Sequence, residues 1–233
     1  MVLLEDVTVR FGGGLLRRSA PFTALDGVSL HLPPGAAHGL VGESGSGKTT
    51  LGRVILGLQP VSAGRARVGG ADVAALRGPA LRAFRRRVQC VFQDSAASLD
   101  PRMTLGASIR EGLDIHRVGD REEREERVRA MLERVGLPRA MAERYPHEIS
   151  GGQRQRVNIA RSLVLEPRLL IADEPVSALD VSVQAQVLDL LADLRAQMGL
   201  TMLFVSHDLM VVREVCDSVS VMQAGRIVET APT

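Results

Sequence analysis

Residues Gly42-Glu43-Ser44-Gly45-Ser46-Gly47-Lys48-Thr49 set glycines, a lysine and a hydroxyl residue between two apolar runs. The run before them, residues 37–41, is short enough for a buried strand, and the run after them spaces Leu51, Val54, Ile55 and Leu58 as one face of a helix. Strand, glycine-rich loop, helix is a demanding order. The glycines let backbone N–H groups wrap a phosphate, and the helix directs the positive end of its dipole at the same point. In such a loop Lys48 reaches the β and γ phosphates of a nucleotide and the Thr49 hydroxyl ligates Mg²⁺, while Ser44, Gly45, Gly47 and Thr50 complete the cradle. At average residue usage the pattern arises by chance in roughly one chain in a hundred of this length. A surface Gly/Ser turn is the bland alternative, and the strand before and helix after disfavour it.

Residues Leu169-Leu170-Ile171-Ala172 read as a second buried strand that delivers Asp173 and Glu174 at its C-terminal end, where ligands gather in open α/β sheets. An acidic pair is often only a solvated strand end. Behind a phosphate loop the two carboxylates divide the labour: Asp173 holds the Mg²⁺ shell and Glu174 polarises an attacking water.

The remaining pattern alternates strands with helices. Residues 2–10 and 24–32 read as strands, Pro33-Pro34-Gly35 as a tight turn, residues 88–92 as a short buried strand, and residues 104 to about 135 as helical. The charge run over residues 120–127 forms a solvated helix face, with Val128, Met131, Leu132 and Val135 as its buried stripe. A helix over residues 154–165, the strand 169–172, a helix near 183–198, the strand 202–205 and a last strand around 219–222 complete the order. Alternation of this kind predicts a largely parallel sheet flanked by helices.

Bulk properties narrow the partners. The 233 residues carry a formal charge of +2, too little for an extended nucleic-acid footprint. Cys90 and Cys216 have no metal-ligand or redox spacing and read as reduced core thiols. No run approaches the ~18 apolar residues of a membrane span, so a soluble cytoplasmic chain is expected.

Ser150-Gly151-Gly152-Gln153 precedes the helical run from Arg154 and has the form of a second anion site, although taken alone it is also a plain helix cap. With the phosphate loop and the acidic pair, these residues resemble the signature of the ATP-binding cassette family, and the resemblance covers essentially the whole chain. Gln93 matches the Q-loop, Ser177-Ala178-Leu179-Asp180 the D-loop, His207 the switch histidine and Phe11 the aromatic that stacks on adenine, with Phe22 as a competing platform. The resemblance implies a P-loop NTPase core with a mostly parallel sheet, an N-terminal antiparallel β subdomain and an inserted α-helical subdomain. The core is expected over residues 1–93 and 159–233 and the helical signature subdomain over about 94–158. It also implies ATP and Mg²⁺ as cofactors and a head-to-tail pair of such subunits, each phosphate loop closing one ATP against the other's Ser150, Gly151, Gly152 and Gln153. In that family Gln93 senses metal and water and joins the site to the membrane subunits, His207 contacts the γ phosphate, and Asp180 links the two sites.

Finer phrases resemble the ATPases of oligopeptide, dipeptide and nickel importers: Val91-Phe92-Gln93-Asp94, Ser98-Leu99-Asp100-Pro101-Arg102, Tyr145-Pro146-His147-Glu148 and Val181-Ser182-Val183-Gln184. Ser95 stands where the peptide branch has proline, and the chain stops at Thr233 without that branch's usual C-terminal segment; both lean toward nickel. The implied partners are a second, related ATPase, two integral membrane permeases, with a helix docking near residues 95–103, and, indirectly, an extracytoplasmic solute-binding protein. The implied location is the cytoplasmic face of the cell inner membrane. An exporter ATPase is the nearest rival; a soluble cassette acting on nucleic acid would use Arg82, Arg85, Arg86 and Arg87, which read more simply as a solvated helix face.

Overall fold

The computed structural model describes residues 1–12, 22–93 and 98–233, in two compact units, Met1–Leu81 with Thr201–Thr233, and Arg82–Leu200. In chain order the first unit holds β1 (Val2–Phe11), β2 (Phe22–Leu32), β3 (Ala37–Val41), α1 (Lys48–Ile55), β4 (Ala63–Val68) and β5 (Ala71–Asp72), and α2 (Gly78–Arg87) leads out of it. The second unit holds β6 (Val88–Val91), α3 (Leu105–His116), α4 (Arg121–Arg134), α5 (Gly151–Leu163), β7 (Leu169–Asp173) and α6 (Val181–Met198). The chain then returns to the first unit with β8 (Thr201–Ser206), α7 (Leu209–Val215), β9 (Ser218–Gln223) and β10 (Arg226–Pro232).

In the first unit β2, β1, β4 and β5 form an antiparallel sheet in that order. Strand β1 buries Val2, Leu4, Val7 and Val9, a pattern that slips once from alternation. The slip is a bulge between Leu4 and Val7, where Asp6 takes φ 49° and its N–H donates to Ser29 Oγ at 3.0 Å. The same unit carries β10, β9, β3 and β8 side by side, with β3 parallel to both β9 and β8 and β10 antiparallel to β9. Every residue of β3 and β8 is buried, which is why both read as unbroken apolar runs rather than as alternation. Gly39 of β3 has no side chain because Val212 of α7 fills that space.

His38 is the polar exception inside β3. It is 3% exposed; Nδ1 meets Ser218 Oγ and Nε2 meets Ser220 Oγ, both at 2.8 Å, and burial lowers its pKa from the ordinary value.

In the second unit β6 and β7 pair in parallel, from Val88 opposite Leu169 to Val91 opposite Ala172. The stretch read as continuously helical from 104 to 135 is two helices. Arg117 at φ 53° and Gly119 at φ 71° reverse the backbone, and Asp120 restarts it with a reciprocal capping box to Glu123. Helix α4 buries Val128, Met131 and Leu132, while Arg121, Glu125 and Arg129 pair along its surface. Among the described residues no helix is long and apolar enough to cross a membrane.

Candidate functional site

The first unit brings together the ends of two parallel strands. Val41 of β3 lies opposite Ser206 of β8, so the loop beginning at Gly42 and the residue His207 leave the sheet at the same level. Gly45 at φ 81° and Gly47 at φ 111° hold conformations that side chains resist, and a Cβ on Gly47 would meet Ala24 O at 2.6 Å. The loop is braced from behind, because Gly225 N–H donates to Ser46 O and Asp26 N–H to Gly225 O, each at 2.9 Å.

Helix α1 begins at Lys48 with no side-chain cap and no acidic residue in its first turn. Its leading N–H groups therefore point out of the helix without a side-chain acceptor, as an anion site requires. Lys48 is 6% exposed and arches over its own loop, donating from Nζ to Gly42 O at 2.7 Å and Glu43 O at 2.8 Å. The Ser46 hydroxyl, also buried, has no hydrogen-bond partner among the described residues. Ser44 and Thr49 stand exposed and Thr50 half-buried on the same stretch. This donor set of amides, one ammonium and hydroxyls fits a polyphosphate.

Phe11 and Phe22 sit directly opposite each other across β1 and β2, and they are 41% and 60% exposed. The two rival platforms thus share one sheet end. His207 is exposed, and the following Asp208 caps α7 by accepting from Met210 N–H at 2.8 Å.

The second unit gathers the acidic pair and the glutamine. Parallel pairing of Val91 with Ala172 carries Gln93 and Glu174 off the same edge, and Gln93 Nε2 donates to Glu174 Oε2 at 3.0 Å. Glu174 holds φ 47°, a left-handed conformation that a glutamate adopts only under constraint from its surroundings. Ser177 supplies part of that constraint, its hydroxyl donating to Glu174 O at 3.1 Å. Asp173, half-buried at the end of β7, acts on its neighbour: burial first and the Asp173 charge second push the Cys90 thiol up to about 12. Both cysteines are free thiols; Cys216 is buried as expected of a core thiol, whereas Cys90 is only partly covered.

Ser150 caps α5 reciprocally with Gln153. Ser150 Oγ accepts from Gln153 N–H at 3.3 Å and Gln153 Oε1 accepts from Ser150 N–H at 3.0 Å. The cap leaves the N–H groups of Gly151 and Gly152 at the helix mouth. Gly152 has a further reason to be glycine, since a Cβ there would meet Val183 Cγ1 of α6 at 2.6 Å. Asp180 begins α6 but makes no capping bond, and its exposed carboxylate is followed by Val181 at 83% exposure.

For Mg²⁺, the Thr49 hydroxyl, the Gln93 amide oxygen and the Asp173 carboxylate are hard oxygen donors of the kind this ion takes. Among the described residues no three His, Cys, Asp or Glu cluster as a protein-only cage, and an ion shared with phosphate oxygens needs none. Ser95 lies outside the described residues, as do its neighbours 94–97. The arginines offered to a nucleic acid, Arg82 and Arg85 to Arg87, are exposed along α2, with the last three in its final turn where cations suit the helix dipole.

Residues 25–177 match the ABC transporter family. A Brucella ovis protein named as a peptide import ATP-binding protein is 56% identical over 214 residues, covering 92% of this chain and 68% of that relative. A Brucella abortus protein of the same designation is 50% identical over 222 residues, 95% of this chain and 65% of the relative. The chain thus spans about two thirds of the length of these relatives. Among solved structures, the dimeric ATP-binding cassette MJ0796 in a post-hydrolysis state with ADP and Pi superposes with TM-score 0.88 at 30% identity, over 100% of this chain and 98% of that one. The cbiO1 protein of Clostridium perfringens, part of the ABC transporter complex cbiONQ, gives 0.86 at 27% identity, over 99% and 88%.

Proposed function

Because this chain belongs to the ABC transporter family, we propose that it hydrolyses ATP to power import of a small peptide across a membrane. The observation that carries the reading is the hydrogen bond from Gln93 to Glu174, made beside Asp173 at the C-terminal ends of paired parallel strands. A strained glutamate whose carboxylate is held by a glutamine amide is pre-set to orient a water rather than to stabilise the fold.

In this reading Lys48 and the amides from Ser44 to Thr50 hold the β and γ phosphates, and Phe11, with Phe22 beside it, stacks on the base. Thr49, Asp173 and Gln93 hold Mg²⁺, which when bound supplies neutralisation of phosphate charge. Glu174 orients the attacking water and accepts its proton, and His207 contacts the γ phosphate. Ser150, Gly151, Gly152 and Gln153 present a second helix mouth that one nucleotide does not need. A head-to-tail pair gives that mouth the other subunit's γ phosphate, with the exposed Asp180 at the junction. Residues of about 94–158 are read as the helical signature subdomain, inserted in the sequence between residues 1–93 and 159–233 of the nucleotide-binding core.

The relatives' names favour a peptide cargo; nickel, toward which Ser95 leans, is compatible with the same family. The second ATPase, two permeases and a solute-binding protein complete the machine, with this chain peripheral on the cytoplasmic face of the membrane. The test is ATP turnover and sedimentation with Mg²⁺ and ATP, for wild type and Glu174→Gln, each alone and with the second ATPase encoded nearby. Loss of turnover by a hundredfold or more, on the order of removing a general base, together with an ATP-trapped dimer, is expected of Glu174→Gln. Unchanged turnover in a monomer overturns the assignment.

A further inference from the structure

Helix α2 concentrates charge of one sign. It holds Arg82, Arg85, Arg86 and Arg87 and no carboxylate, in a protein whose formal charge is only +2, so the rest of the chain is net acidic. Arg82, Arg85 and Arg86 fall at i, i+3 and i+4, one face of the helix, with buried Phe84 on the opposite side. All four arginines are exposed, and among the described residues none of them enters an ion pair. On α3 and α4 the same residue type is balanced: Arg121 and Arg129 share Glu125, and Arg110 and Arg124 share Asp114. The dipole of α2 favours cations in its last turn, which accounts for Arg85 to Arg87 but not for Arg82, nor for the missing carboxylates.

The face has a neighbour on α3. Burial first, then the charges of Arg82 and Arg86, lower the pKa of His116, so both guanidinia lie close enough to act on its ring. His116 in turn lines a groove of about 240 Å³ with Ser98 and Glu111. Glu111 is the one carboxylate in that lining, and Arg161 already holds it at 2.7 Å. Ser98 belongs to the stretch where a permease helix is read to dock, so the arginine face flanks the point at which a membrane subunit arrives.

We propose that the arginine face of α2 binds the phosphate headgroups of anionic lipid, holding the subunit against the membrane surface beside its permeases. The inference rests on the reading of this chain as the ATPase of a membrane transporter. A guanidinium offers paired N–H donors to a phosphate, and a surface that is negative over its whole extent meets three of them at once. Nucleic acid carries the same charge, but the face is short, its one aromatic, Phe84, is buried away from any base, and the acidic remainder of the chain repels a polyanion.

The experiment sediments the full chain, without nucleotide, with vesicles of phosphatidylcholine alone or with about one third phosphatidylglycerol, at about 0.1 M salt. Binding is expected to be at least about tenfold tighter to the anionic vesicles and to be lost at about 0.5 M salt. Each arginine is expected to contribute about fivefold, so R82Q/R85Q/R86Q loses about a hundredfold, while R121Q/R127Q/R129Q, which removes the same charge from α4, stays within about threefold of wild type. R82K/R85K/R86K keeps the charge and is expected to stay within about threefold as well; a loss equal to that of the glutamine variant shows a disturbed helix rather than a lost attraction and overturns the proposal. Equal binding to the two vesicle types, or an equal loss in the α4 variant, overturns it too. Random-sequence duplex DNA bound more tightly than the anionic vesicles assigns the face to nucleic acid, and a transporter in lipid-free detergent that R82Q/R85Q/R86Q breaks apart assigns it to the permeases; either result overturns the lipid assignment. ATP turnover of Glu174→Gln separates the two readings. Full turnover there overturns the nucleotide site whatever the vesicles show, whereas a dead Glu174→Gln beside vesicle binding that ignores lipid charge overturns the surface alone.

Discussion

Cys90 shows how a single side chain is silenced by its address. Burial and the nearby Asp173 carboxylate hold its thiol up at about 12, so the nucleophilic thiolate is scarce at any pH the protein meets. Iodoacetamide at pH 8 is therefore expected to leave Cys90 unmodified in the folded chain and to label it fully in denaturant, read by mass spectrometry of the peptide. Prompt labelling of the folded chain would contradict the burial. Glu174 and Gly152 show the limit of a sequence at this scale. The acidic pair after an apolar strand marks Glu174 as a candidate, but its left-handed backbone and its bond to Gln93 depend on a partner 81 positions away. Ser-Gly-Gly announces a helix mouth, while the contact that forbids a side chain on Gly152 comes from Val183, which no local pattern reveals.

Helix starts allow structure and chemistry to be separated. Ser150 and Asp120 both close reciprocal capping boxes, one at the candidate site and one on the charged helix. Each change to alanine is expected to cost about 1 kcal/mol. In a chain of this size that lowers the unfolding midpoint by about 2–4 °C. Ser150→Ala should also reduce ATP turnover several-fold, and Asp120→Ala should leave it unchanged; equal turnover in the two would remove Ser150 from the site. The elements legible in the sequence are those with strong apolar runs, β1, β2, β3, β6, β7, β8 and β9, and the helices α1, α3, α4, α5 and α6, with α3 and α4 read as one. Strands β4 and β10 are harder to read because they are exposed over most of their length: in β4 Arg65 and Arg67 alternate with buried Ala66 and Val68 over four residues alone, and in β10 Arg226 and Glu229 flank no buried residue. Helix α7 is hard to read for the opposite reason: Leu209-Met210-Val211-Val212 reads equally well as strand, and only Asp208 as a cap decides it.

At the scale of the whole molecule, stability has a titration written into β3. His38 is neutral in the fold because burial lowers its pKa, whereas in the unfolded chain it titrates near 6.5. Its contribution is present above that value and is lost as pH falls through the unfolded pKa toward the lowered one. The unfolding midpoint is expected to drop between pH 7 and pH 5, and His38→Gln, which cannot take up a proton, should flatten that drop; parallel pH curves would assign it elsewhere. The same strand has a consequence for how the protein is made. Strand β3 has β8 on one side and β9 on the other, and these begin at Thr201 and Ser218, 160 and 177 residues later than Val41. At ribosomal speeds of about 5–20 residues per second, the phosphate-loop strand leaves the exit tunnel roughly ten to thirty seconds before either neighbour exists. For that interval its apolar edge is open to any passing strand, which makes the pace of translation and the reach of a holding chaperone part of what determines how much active protein a cell obtains.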